Sequence, residues 1–160
     1  MALIDDLKAF IGDVSSRRLV IVGIGSPIRR DDAVGLRVLD ALEGKNLRNV
    51  LLLKTEIVPE SYTGVIRDFA PTHVLMIDAA HFKGKPGEGR IIPIQSIADT
   101  TVSTHNLPLT IFADFIKESM CSKVALLGIQ VIDIGMGEGL TQGVTRGAKK
   151  IAEILTEILL

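Results

Sequence analysis

Two kinds of apolar pattern alternate along this chain. The first is the continuous run rich in β-branched residues: Leu19-Val-Ile-Val-Gly-Ile24, Val50–Ile57, His73–Ile77 and Lys123–Ile132. Runs of this length without polar alternation suit strands buried on both faces. The second is the helical stripe. Leu3, Ile4, Leu7, Phe10 and Ile11 share one face of a short N-terminal helix that Gly12-Asp13 ends. Val34, Val38, Ala41 and Leu42 repeat at helical spacing before Gly44, and Ser61–Phe69 predicts a short helix stopped by Pro71. Leu107–Ser119 is helical by pattern, with Pro108 suited to its first turn. In the last helix Val144, Ala148, Ile151, Ala152, Leu155 and Leu159 face one way, and Arg146, Lys149, Lys150, Glu153 and Glu157 the other. Between these elements Ala80–Gly89, with its glycines, lysines and proline, reads as a loop, and Arg90–Ile94 as a short strand that Pro93 confines to an edge.

Strands alternating with helices predict a three-layer α/β sandwich: a mostly parallel twisted sheet of about five strands with helices on both faces. A single domain is expected over 1–160, with 1–13 as an extra N-terminal helix. No internal repeat or low-complexity linker divides the chain.

Composition narrows the functional classes. The 18 basic and 19 acidic residues nearly cancel, which argues against broad electrostatic binding to nucleic acid or anionic membranes. Mean hydropathy is high at +0.37. Yet the longest apolar runs are strand-sized, well short of the ~18–20 residues of a membrane-spanning helix. Asp5 and Asp6 stand where a secretory signal would be basic, so a cytoplasmic location is expected; separately, a monomer is the expected state. The one cysteine, Cys121, excludes an internal disulfide and a paired-cysteine metal cluster, and is expected to be a buried or half-buried thiol.

Ligands of open α/β sheets collect beyond the carboxyl ends of the strands. Gly23-Ile-Gly25-Ser-Pro-Ile-Arg-Arg-Asp31-Asp32 follows the first strand, Asp78 the third, and Thr104-His105-Asn106 opens the Leu107 helix on that same rim. Of the adjacent acids, one is expected to cap the helix start and the other to be functional. On that basis Asp31→Asn should cost little, since asparagine also caps. His105 at a helix N-terminus is biased toward neutral imidazole, the metal-binding form. His73 reads as structural and His81 as surface, with a place lining the rim as its lesser alternative. Two carboxylates and an imidazole supply mixed oxygen and nitrogen ligands of the kind found at catalytic metal sites. The chain has no H-E-x-x-H, no G-x-S-x-G and no G-K-[ST], which removes zinc-protease helices, serine hydrolases and P-loop ATPases. A dinucleotide-binding oxidoreductase, resting on Gly23, Gly25 and Glu56, is the weaker competitor, because Ile28 occupies the third glycine position.

Three motifs in order resemble the hydrogenase maturation endopeptidases, which trim the large subunit of nickel–iron hydrogenases. They are Gly23-Ile-Gly25-Ser26 leading to Asp31-Asp32-Ala33-Val34-Gly35, then Val74-Leu-Met-Ile-Asp78-Ala79, then Ser103-Thr-His105-Asn106-Leu-Pro108-Leu109. The resemblance runs from about Leu19 to the C-terminal helix. Val58-Pro59-Glu60 and Leu127-Gly128-Ile129-Gln130 add similarity to the subgroup serving hydrogenase 3 (formate hydrogenlyase) and related membrane-bound hydrogenases. Ser26 stands where the family more often has asparagine. Ala33 replaces the usual glycine, so the backbone there should not need positive φ.

The resemblance implies that Asp32, Asp78 and His105 contact nickel and form the catalytic site. It further implies that nickel arrives bound to the precursor of the hydrogenase large subunit, and that a C-terminal peptide is then removed. Metal polarisation of the scissile carbonyl, or activation of a bound water, would permit hydrolysis, with a carboxylate available as general base. A non-catalytic chaperone that inspects the nickel site would use the same ligands. Arg29 and Arg30 are left either to solvent or to an acidic substrate surface.

Overall fold

The continuous apolar runs become neighbouring strands of one sheet in the computed structural model, which describes residues 2–12, 14–97 and 106–160. The strands are β1 (Leu19–Ile24), β2 (Val50–Glu56), β3 (His73–Ala80), β4 (Gly89–Ile92) and β5 (Lys123–Gln130), in the order β2-β1-β3-β5-β4. All pair in parallel except β4, which runs antiparallel to β5 at the edge. β4 ends at Ile92, immediately before Pro93, whose missing N–H cannot extend the ladder.

Helices α1 (Ala2–Ile11), α2 (Val34–Leu42), α3 (Thr63–Phe69), α4 (Asn106–Met120) and α5 (Gln142–Leu159) cover the sheet. Alternation along the strands sends side chains to two cores. Leu19, Ile21, Leu75 and Ile77 pack with α1, α2 and α5; Val20, Val22, Val74 and Met76 pack with α3 and α4. The expected three-layer α/β sandwich is therefore present, with five strands.

Two segments differ from expectation. The apolar run of β3 stops at Ile77, but pairing with β5 carries the strand on to Ala80. Asp78 thus lies inside the ladder opposite Gly128, rather than just after it. Cys121 is exposed rather than buried. It holds the left-handed position (φ 55°) of the two-residue turn from α4 to β5. The buried member of that turn is Ser122, whose hydroxyl donates to the Pro71 carbonyl at 2.8 Å.

From β1 the chain winds to β2 on one side and then crosses to β3 on the other, so the β1/β3 boundary is the topological switch point, where such sheets bind ligands. Helix α2 is drawn hard against that boundary. A Cβ on Gly35 would strike the carbonyl oxygens of Ile77 and Ile24, so only glycine allows the helix to sit there.

Candidate active site

The switch point receives the turn Arg30–Ala33 that leads into α2, and this turn packs against β3. Both of its acids are fully buried, with different partners. Asp31 reaches across to the segment between β5 and α5. Its Oδ2 accepts the backbone N–H groups of Ile132 (3.1 Å) and Asp133 (3.0 Å). Its Oδ1 accepts the backbone N–H of Thr141 at 2.7 Å, and the Thr141 hydroxyl lies 3.0 and 2.9 Å from the two oxygens. Thr141 is the residue at the start of α5. Asp31 therefore caps neither its own turn nor α2. It ties a distant loop and the start of another helix to the rim, using both carboxylate oxygens.

The adjacent arginines serve the same junction. Arg29 Nε donates to the Ile134 carbonyl at 3.1 Å, and Arg30 donates its backbone N–H to the Gly137 carbonyl at 3.1 Å. The Arg30 guanidinium lies against Gly137 (φ +144°), with its Nε 3.6 Å from the Asp133 carboxylate. Both residues thus act within the fold rather than standing free in solvent.

Asp32 is turned the other way, inward to its own loop. Its Oδ2 accepts the Ser26 N–H at 2.9 Å. Gly25 (φ +143°) makes this closure possible, because a Cβ there would collide with the Asp32 carbonyl oxygen. Ala33 has φ −81°, so no glycine is needed after the acids. On the neighbouring strand Asp78 is fully buried, and its Oδ1 accepts the N–H of Ala79 at 2.8 Å. The two acids proposed as functional are thus delivered to the β1/β3 boundary from positions 46 residues apart, each oriented through one oxygen by a backbone N–H. The third nominated residue, His105, lies outside the described residues. Among the described residues no three histidine, cysteine or acidic side chains converge as a complete metal cluster.

The remaining histidines separate by position. His73 begins β3, at the end of the strands opposite to Asp78, its Nδ1 2.7 Å from the Thr72 hydroxyl and its ring edge-on to Phe10. Burial holds its pKa below the ordinary imidazole value, and the positive charges of Lys123 and Arg17 add to the effect. It is structural, as its place at a strand start suggested. His81 is exposed on the rim, 3.1 Å from the Gln130 amide nitrogen.

Comparison with known proteins gives the family. The profile of the hydrogenase maturation protease family (HycI) matches residues 36–158. The chain belongs to the hydrogenase maturation protease family. The hydrogenase 3 maturation protease of Escherichia coli K12 is 32% identical over 117 residues, covering 72% of this chain and 74% of that protein. The crystal structure of the NiFe hydrogenase maturation protease HycI from Thermococcus kodakarensis superposes with a TM-score of 0.82 at 38% identity, covering 96% of this chain and 98% of that one. The solution structure of the endopeptidase HycI from Escherichia coli gives 0.76 at 29% identity, covering 84% and 86%.

For this protease the family profile begins at Leu36 and so leaves Asp31 and Asp32 just outside the matched stretch. The dinucleotide alternative loses its physical basis here. The space a pyrophosphate needs beside Gly25 is taken by the backbone of Asp32, and the loop beyond is bonded to the β5–α5 segment. Sequence reasoning passed over Thr141 and assigned Gln130 no task. The signal for Gln130 was a glutamine closing an apolar strand, where a buried amide needs partners.

Proposed function

We propose that this protease removes a C-terminal peptide from the precursor of a nickel–iron hydrogenase large subunit, after nickel has been inserted into that precursor. What carries the proposal is the convergence of Asp32 and Asp78, buried and separately anchored, on the switch point of a chain that belongs to the maturation protease family. The metal is part of the substrate, delivered on the precursor.

The donor set suits that substrate. Carboxylates alone favour hard ions, whereas an added imidazole brings nickel within range, and His105 is the residue nominated to supply it. Asp32 and Asp78 would hold the metal-bearing segment of the precursor. The backbone N–H groups of Ser26 and Ala79 keep each carboxylate from rotating as that segment enters. Nickel, once held, would polarise the scissile carbonyl or a water. One of the carboxylates is available to accept the proton of the attacking water. Burial excludes bulk solvent and strengthens every charge interaction at the reacting bond. The working form is taken as a cytoplasmic monomer; no helix among the described residues is long and apolar enough to cross a membrane.

Substitution of the nominated ligands tests this directly. Asp78→Asn, Asp32→Asn and His105→Gln are expected to melt near the wild-type temperature and to leave the precursor uncut, because neutral amides are poor metal ligands. Wild-type processing by any one of them would remove that residue from the site. Binding of the precursor without cleavage by the wild-type protein would establish the chaperone alternative instead.

A further inference from the structure

Gln130 lies opposite Ala80 in the β3–β5 ladder, two residues beyond Asp78 and on the same face of the sheet. Its side chain is buried, and backbone groups dictate its orientation. Oε1 accepts the N–H groups of Phe82 (2.8 Å) and Gly84 (3.1 Å), and Nε2 donates to the Val131 carbonyl at 2.9 Å. Exchanging oxygen and nitrogen would set an NH2 against two N–H donors and an oxygen against a carbonyl, so only one amide orientation satisfies all three. The backbone of Gln130 is tied to the same loop, since its N–H donates to the Glu88 carbonyl and its carbonyl accepts from Gly87, both at 2.8 Å.

In that orientation the remaining Nε2 hydrogen points to Nδ1 of His81, 3.1 Å away. A donor on that side makes Nδ1 an acceptor, so the neutral imidazole carries its proton on Nε2. The ring is exposed, three residues beyond Asp78 along the chain.

Resting on the protease assignment, we propose that His81 is a substrate-positioning residue: its Nε2–H, held in this tautomer by Gln130, donates a hydrogen bond to a backbone carbonyl or carboxylate oxygen of the bound precursor chain. A protonated Nε2 is not a metal ligand, so His81 serves the polypeptide and not its nickel. The loop 81–88, held to β5 through Gln130, becomes a rigid wall of the substrate channel. The contact is made with the ground state and the transition state alike, so it acts on KM rather than on kcat.

Long-range nitrogen–proton NMR of the free protein, together with steady-state cleavage of nickel-loaded precursor, tests the inference. For the neutral ring, the expected spectrum shows His81 protonated at Nε2 and bare at Nδ1. His81→Phe should raise KM about fivefold, the scale of one neutral hydrogen bond, and leave kcat within about twofold. His81→Gln, which keeps an N–H at the end of its side chain, should recover most of the loss. A proton on Nδ1, an unchanged KM in His81→Phe, or a fall in kcat alone would overturn the inference. If the wild type cuts no precursor, the protease assignment fails and the inference falls with it. The tautomer is measured without substrate, so a spectrum with the wrong tautomer identifies a failure of the inference alone.

Discussion

Asp31 and Asp32 are neighbours of the same chemical type with different duties, and their hydrogen bonds separate them. Asp31 spends both oxygens on the segment from Ile132 to Thr141, whereas Asp32 is held through Oδ2 by its own loop. Asp31→Asn would turn an NH2 toward backbone donors on one side and leave buried N–H groups unsatisfied. It is expected to destabilise the fold by about 1–3 kcal/mol, the cost of leaving a buried donor unmet. Chemical denaturation checks this, and a variant as stable as wild type would show that the loop is held by other means. An expectation that asparagine would serve equally well follows naturally from the sequence, because a carboxylate at a helix start looks like a cap. Its true partners are about a hundred residues away, and nothing local in the sequence announces them. Ala33 was legible for the opposite reason: the φ a non-glycine residue adopts is a local matter.

At the scale of elements, the strands were readable because each is an unbroken apolar run that only a doubly covered sheet can bury. Their ends were less so. β3 runs past Ile77 through Asp78 because β5 continues to pair with it, and that pairing is non-local. Gly35 had no legible role in the sequence, where it looks like a poor helix former within a good helix. In the structure it seats α2 against the carbonyls of Ile24 and Ile77, and so sets how closely Asp32 approaches β3. Gly35→Ala brings two opposed effects. Helix propensity favours alanine by about 1 kcal/mol, whereas overpacking against carbonyl oxygens that cannot rotate away costs about 1–3 kcal/mol. The clash should win. The expected variant melts lower than wild type and processes precursor more slowly, because α2 is pushed off the sheet and the turn that carries Asp32 moves with it. A raised melting temperature with full activity would contradict this account of the packing.

For the molecule as a whole, strands alternating with helices made a parallel three-layer sandwich legible, but not the order β2-β1-β3-β5-β4 that creates a switch point between β1 and β3. That order sets the turn that carries Asp32 against β3, the strand that carries Asp78. The same sheet separates functions by strand end. His73 sits at one end among structural contacts, while Asp32, Asp78, Gln130 and His81 gather at the other. The 36–158 family match spans most of this framework, and the acidic pair enters from the turn just before it. On the proposed reading the precursor would bring the metal that completes the site, and the protease would need no nucleophile of its own.

Dependence on that metal is the central claim, and intact mass spectrometry of the large-subunit precursor after incubation with the protease tests it most directly. The expected result is loss of a single C-terminal peptide from nickel-loaded precursor and an unchanged mass for the nickel-free form. Equal cleavage of both forms would contradict the assignment of Asp32, Asp78 and His105 as receivers of a substrate-borne nickel.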